Sequence, residues 1–278
     1  MRNIIVDMPL TKDALNALRI AMAAKDVHIA GIAATYGKDV SMNDSYMELK
    51  QLGGDRFPVC PGAEGPILRD YRWTGFPDGE DVVSDEYAWD LVRRKALEYS
   101  GDLEVIALGP VTNIALFIKK YHDVRREIKK ITVIGSTGLF GDAAPYSEFN
   151  IWADPLAMEI ISDSMIPFET IDLDCIGKMR LSYDETIAAA GHPDFPVAKE
   201  EINWLDFDCQ NFFPVSKSIG MRIWLAPSCC VHARYRARVE VGTGTMRGRV
   251  IYYDRADLSE VFNAIKAENV KKEMILSI

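Results

Sequence analysis

"LEVIALGPVTNIALFIKKYHDVRREIKKITVIGS", residues 103–136, decides the fold. Its two ends, LEVIALGP and KKITVIGS, are nearly continuous apolar runs of the kind found in strands buried on both faces. Between them, VTNIALFIKKYHDVRREI reads as a helix. Strand, helix, strand is a βαβ crossover, which makes the two strands parallel neighbours in a helix-covered sheet.

The same alternation continues in both directions. NIIVD (3–7) reads as a strand. TKDALNALRIAMAAKD (11–26) reads as a helix, with Thr11 as N-cap and Leu15, Leu18, Ala21 and Met22 on one face. VHIAGIAATYG (27–37) is a second strand, and SMNDSYMELKQLGG (41–54) a second helix ended by Gly53 and Gly54. FPVCPGAEGP (57–66) gives a short strand and turn, and the Gly-, Pro- and Asp-rich residues 69–85 an exposed loop. SDEYAWDLVRRKALEYSG (84–101) is a helix, residues 155–164 another, and PFETIDLD (167–174) a strand. Past residue 180 the pattern is more helical and less regular. It ends in a β-segment, RARVEVGTGTMRGRVIYYD (236–254), and a last helix. The expectation is an α/β fold, a mostly parallel central sheet with helices on both faces, in a single domain spanning 1–278. Ligands bind such sheets at the carboxyl ends of the strands. That directs attention to Asp7 and to residues 35–38, 109–113 and 135–150.

Composition narrows the function classes. The 278 residues are 48% hydrophobic and carry a formal net charge of -9. An acidic surface argues against a nucleic-acid backbone as partner and leaves a neutral small molecule open. The apolar run in MRNIIVD is too short for a signal core, and no stretch approaches the roughly 18 apolar residues of a membrane helix. Cys60, Cys175, Cys209, Cys229 and Cys230 show no zinc-site spacing, and adjacent cysteines rarely bridge. Reduced thiols in a cytoplasmic protein, with no membrane partner, are the expectation.

PYSEFNIWADP (145–155) sets Glu148, Phe149 and Asn150 side by side, directly before an apolar helical pattern that includes Leu156, Met158, Ile160 and Ile161. Two of the three are strongly polar, which suits no buried strand, and the helical pattern that follows makes them too ordered for a loose loop. A polar cluster at such a junction is often a ligand grip.

Taken together, ALGPVTNIALFIKK (107–120), IKKITVIGS (128–136), GDAAPYSEFNIWADPLAMEII (141–161) and RVEVGTGTMRGRVIYYD (238–254) resemble the inosine–uridine-preferring nucleoside hydrolases. GIAATYGKDVS (31–41) and VCPGAEGPI (59–67) fit the same family in the same order. The resemblance implies a nucleoside hydrolase-like fold and cleavage of the N-glycosidic bond of ribonucleosides to ribose and free base. It also implies a calcium ion held by an N-terminal aspartate cluster, by the carbonyl of Thr112 and by a C-terminal Asp that follows a His. That ion would grip the ribose diol and the attacking water, and an aspartate would act as base. Glu148 and Asn150 would hold the sugar and Phe149 would wall the pocket. Carboxylates around the ring suit this chemistry, because the sugar becomes oxocarbenium-like as the bond breaks.

The chain departs from the family where the ion should bind. In VDMPLTKDAL (6–15), aligned without a gap, Val6 and Met8 replace two aspartates, Leu10 a glycine, and Lys12 the aspartate that serves as base. Asp13 alone matches an acid, and a one-residue gap brings in Asp7 instead. Leu225 and Ala226 stand where the family has His and Asp. Asp142 replaces an asparagine, Lys38 follows Gly37 where the family has asparagine, and TGFPDGED (74–81) lacks a loop histidine. Calcium affinity depends on ligand charge and number, so the expectation is no calcium or weak calcium, with Asp13 and Thr112 as vestigial ligands.

Two readings follow. In the first the chain is an N-glycosidase by altered means: Lys12 as a fixed cation near the diol, Asp7, Asp13 or Asp142 as base, and Glu148, Asn150, Phe149, Asp142, Asn113 and Trp204 around a nucleoside-like ligand. In the second it is a non-catalytic relative that binds such a ligand or serves as a partner subunit. Family analogy implies a homo-oligomer, a dimer or tetramer, in either case. Each residue also has a plain structural alternative. Asn150, Thr112 or Asn113 could cap a helix, Asp13 is a first-turn acid, Lys12 a solvated lysine and Asp142 a turn residue. Trp204, Phe207 and Phe212 could be a packing stripe or a base-stacking wall. Arg234, Arg236 and Arg238 could bind an anion or face solvent. Cys229, Cys230 and His232 are too compressed for zinc, which leaves a reactive pair or buried cysteines.

Overall fold

The computed structural model describes residues 1–68, 82–137, 141–176, 216–229 and 236–253. Six strands form one parallel sheet: β1 (Arg2–Met8), β2 (Val27–Ala34), β3 (Val59–Cys60), β4 (Leu103–Ala107), β5 (Ile128–Ile134) and β6 (Phe168–Ile171). Their order is β3-β2-β1-β4-β5-β6. The chain therefore winds one way from β1 to β3 and the other way from β4 to β6. The reversal between β1 and β4 opens a crevice at their carboxyl ends, where Asp7 lies in register with Ala107.

Among the described residues the helices are α1 (Lys12–Ala23), α2 (Met42–Gly53), α3 (Ala88–Tyr99), α4 (Thr112–Lys120), α5 (Phe149–Ala153), α6 (Pro155–Ser162), α7 (Leu173–Ile176) and α8 (Ser216–Leu225). They cover both faces of the sheet, as β1 shows residue by residue. Ile4, Val6 and Met8 point into a core built with α1, α2 and α8. Ile5 points into a second core built with α3, α4 and α6. Side chains alternate along a strand, so Asp7 takes the Ile5 side, toward α4. A hairpin, β7 (Arg236–Val239) and β8 (Val250–Tyr253), is antiparallel and adds Val239 and Val250 to the second core.

Local chemistry sets the boundaries. Thr11 caps α1, its hydroxyl oxygen accepting the Ala14 N–H at 3.3 Å, as the sequence predicts. The helix after β4 is shorter than its sequence pattern. It ends at Lys120, and a 3-10 turn at Arg125–Glu127 brings the chain to β5, with Val124 buried in the second core. The strand of residues 167–174 is likewise cut to Phe168–Ile171, because Leu173 already starts α7. The C-terminal helix expected after residue 254 and most of the 69–85 loop lie outside the described residues. No helix among the described residues is long and apolar enough to cross a membrane.

Candidate active site

Asp7 is the penultimate residue of β1, at the reversal point, and is 1% exposed. Its Oδ1 accepts a 2.9 Å hydrogen bond from Asn113 Nδ2, while Oδ2 is buried with no hydrogen-bond partner among the described residues. Burial disfavours the charged form and pushes the carboxyl up to about 7, against a smaller lowering by the Asn113 hydrogen bond. Asn113, on the first turn of α4, is fully committed. Its Nδ2 also donates to the Ala34 carbonyl at 3.1 Å, and its Oδ1 accepts the Ala63 N–H at 2.8 Å. That bracket ties β1, β2, α4 and the loop after β3 together. It also explains Gly62, since a Cβ there would lie 2.2 Å from Asn113 Oδ1 and 2.4 Å from the Ala34 carbonyl oxygen.

Thr112 is buried beside Asn113. Its hydroxyl donates to Asp154 Oδ2 at 2.7 Å and lies 3.1 Å from the hydroxyl of buried Tyr36. Asp154 also accepts the Ile67 N–H at 2.9 Å and caps α6 through the Ala157 N–H at 3.1 Å. Desolvation raises its carboxyl above the ordinary range. Arg247 donates to the Trp152 and Ala153 carbonyls just ahead of it.

The sugar-gripping candidates gather after β5. Glu148 is buried, and its Oε2 accepts the N–H groups of Ser136 at 3.2 Å and Ile151 at 3.3 Å, the latter capping α5. Burial, then the charge of Asp142, pushes this carboxyl up to about 7, while backbone N–H groups and Lys217 act against the rise. Gly135, at φ 151°, permits the approach, because a Cβ there would sit 2.8 Å from Glu148 Oε2. Asn150 is buried one helical step away, with its amide nitrogen near the same glycine. Phe149 is partly buried against the first core, and its N–H donates at 2.8 Å to the exposed Asp142.

Two predicted residues lie apart from this group. Asp13 faces the start of α8. Its carboxylate accepts the N–H groups of Lys217 at 2.8 Å and Ser218 at 3.0 Å, and the Ser218 hydroxyl at 2.6 Å. An acid there meets otherwise unsatisfied N–H groups and the positive end of the helix dipole, so Asp13 joins α1 to α8. Lys12 is exposed and lines a surface cleft with Arg19 and Glu48. Trp204, Cys230 and His232 lie outside the described residues. Removing the Asp13 carboxylate, as in Asp13→Ala, is expected to lower stability by about 1–2 kcal/mol. A shift of the urea midpoint without a change in slope would show it.

A calcium ion takes six to eight oxygen ligands. Among the described residues no three His, Cys, Asp or Glu side chains gather to hold a metal. Asp13 and Asp154 are occupied by helix N-termini and Thr112, and Asp7 keeps one buried carboxylate oxygen with no hydrogen-bond partner among the described residues. Among the described residues these donors do not assemble into a three-acid calcium site. What they can do is take a proton at Asp7 Oδ2 and, at Glu148 and Asn150, bind hydroxyl groups. Asp154 and Arg247 were not singled out from the sequence, and Tyr36 entered only within the strand-end range 35–38. Asp154 stands in the ADP segment, whose aspartate-proline pair signals a helix start.

Residues 4–277 match the family described as inosine-uridine preferring nucleoside hydrolase. A pyrimidine-specific ribonucleoside hydrolase RihA from Citrobacter koseri is 26% identical over 205 residues, covering 68% of this chain and 66% of that protein. The chain thus spans about two thirds of that relative's length. The protein of the same name from Shewanella oneidensis is 29% identical over 220 residues, covering 73% and 69%. Among solved structures, a purine-preferring ribonucleoside hydrolase from Gardnerella vaginalis superposes with a TM-score of 0.79 at 22% identity, covering 99% of this chain and 98% of that one. A plant nucleoside hydrolase superposes equally well, with a TM-score of 0.79 at 17% identity and coverage of 98% and 97%. The fold is the nucleoside hydrolase fold expected from the sequence.

Proposed function

Because the chain belongs to the inosine–uridine preferring nucleoside hydrolase family, we propose that it hydrolyses the N-glycosidic bond of ribonucleosides with Asp7 as the base and without a resident calcium ion. The observation that carries this reading is Asp7 itself. One oxygen is fixed by Asn113, the other is buried with no hydrogen-bond partner among the described residues, and the group sits at the reversal point of the sheet. A water on the unpartnered oxygen gives its proton to Asp7 as it attacks the anomeric carbon, and the nucleobase departs with the bonding electrons. Glu148 and Asn150 hold the ribose hydroxyls. The carboxylate charge of Glu148 favours the positive charge that develops on the ring. The sequence relatives' names support pyrimidine ribonucleosides as substrates, and the family match gives no support to a non-catalytic role.

The test is release of free base from uridine, cytidine, inosine, guanosine and adenosine by purified protein. Turnover of uridine or cytidine is expected, and no free base from any of the five would overturn the reading.

The raised carboxyls fix the pH profile. Asp7 must be ionised to act as base, and its folded value is about 7. On the acid side kcat/KM should climb with pH and level off above about 7, since this profile reports the free enzyme's groups. Glu148 titrates in the same range, so the limb reports both acids. A profile already flat from pH 5 upward would contradict the assignment.

A further inference from the structure

The C-terminal hairpin reaches back to the end of β5. Tyr252, on β8, sets its hydroxyl 3.1 Å from Ser136 Oγ, 3.0 Å from Thr170 Oγ1 and 3.2 Å from both oxygens of Asp172. The roles sort one way. The phenol proton goes to the acceptor-only carboxylate, and the serine and threonine hydroxyls donate to the phenol oxygen.

Ser136 has unusual backbone geometry. Its φ is 83°, in the left-handed region that a side chain with a Cβ adopts at a cost. Neighbouring bonds pin the segment on both sides: Gly135 N–H to the Ile171 carbonyl at 3.1 Å, and Leu173 N–H to the Ser136 carbonyl at 3.0 Å. In that conformation the Ser136 N–H meets Glu148 Oε2. Such strain persists only where the surroundings over-determine it.

The geometry points to Tyr252 as a positioning residue for the sugar-gripping acid: its hydroxyl holds Ser136 in the left-handed conformation, and Ser136 turns its N–H onto Glu148. The inference rests on the reading of Glu148 as a ribose ligand. Among the described residues, Asp142 and Lys217 lie near Glu148, and Asp172 beside Tyr252.

Tyr252→Phe tests it, since the ring stays and only the hydroxyl goes. In ligand-free protein carrying carbon-13 at glutamate carboxyls, with Glu148 assigned through Glu148→Gln, loss of an N–H that favours the charged form should move the Glu148 titration upward by about one pH unit. In turnover, kcat/KM should fall about tenfold, the worth of one hydrogen bond to a charged group. Glycine needs no tether at positive φ, so in a Ser136→Gly background the same Tyr252→Phe change should lower kcat/KM by less than about threefold. An unmoved Glu148 titration, or an equal loss in both backgrounds, overturns the relay. Should Tyr252→Phe fail to fold, Ser136→Ala removes the same contact from the other side and must give the same upward shift; no shift there also overturns it. The titration does not need turnover. A shift in a protein that cleaves no nucleoside upholds the relay and defeats the proposed activity, whereas cleavage without a shift does the reverse.

Discussion

Asp7→Asn is expected to lower kcat/KM by about a thousandfold, within the range that a positioned general base contributes. Asparagine keeps the shape and can still accept from Asn113 Nδ2, so the bracket around β1, β2 and α4 survives. The proton acceptor does not. The same variant carries a second signature. The folded carboxyl of Asp7 is raised to about 7 from an ordinary value near 3.8. Between those values the unfolded chain ionises while the folded protein does not. Wild-type stability is therefore fully present below about pH 4 and is lost as pH rises toward 7. Asp7→Asn removes that slope. Urea unfolding from pH 4 to pH 8 should show wild type losing ground to the variant. Parallel curves would mean that Asp7 is ionised normally and is a poor candidate for the base.

Glu148→Gln is expected to lower kcat/KM by about a hundredfold, the scale of losing one preorganised electrostatic contact in the transition state. Glutamine retains an oxygen that can accept from Ser136 and Ile151, so α5 stays capped and the melting temperature should hold. The loss should fall mainly on kcat, because ribose hydroxyls still find a hydrogen-bonding amide in the ground state while the charge facing the oxocarbenium-like ring is gone. Glu148→Ala adds the loss of the cap, about 1 kcal/mol of stability. A Glu148→Gln enzyme with unchanged kcat would make Glu148 a helix cap and nothing more.

The fold was legible because its information is local. Residues 103–136 spell strand, helix and strand in periods of hydrophobicity. The reversal of winding then places Asp7 at a strand end, where a ligand belongs. Glu148 and Asn150 drew attention for a different reason, as polar residues set against the apolar start of α6. The contacts that give these residues their character are long-range and leave no trace in spacing. Thr112 meets Asp154 across 42 positions, Asn113 meets Asp7 across 106, and Ser136 meets Tyr252 across 116. Asp13 shows the converse. Its place beside Lys12 in a motif-like stretch points to catalysis or metal, yet its carboxylate meets a helix start 204 positions away. Spacing along α1 cannot reveal a partner on α8.

We propose that Asp7 works outside any calcium cage. The most direct measurement is the rate of base release from uridine by protein stripped of divalent ions with a chelator, followed through stepwise addition of calcium. A rate that survives stripping and changes little on addition is expected, alongside an Asp7→Asn variant that stays about a thousandfold slower throughout. Loss of activity on stripping, restored in proportion to one bound calcium per chain, would contradict it.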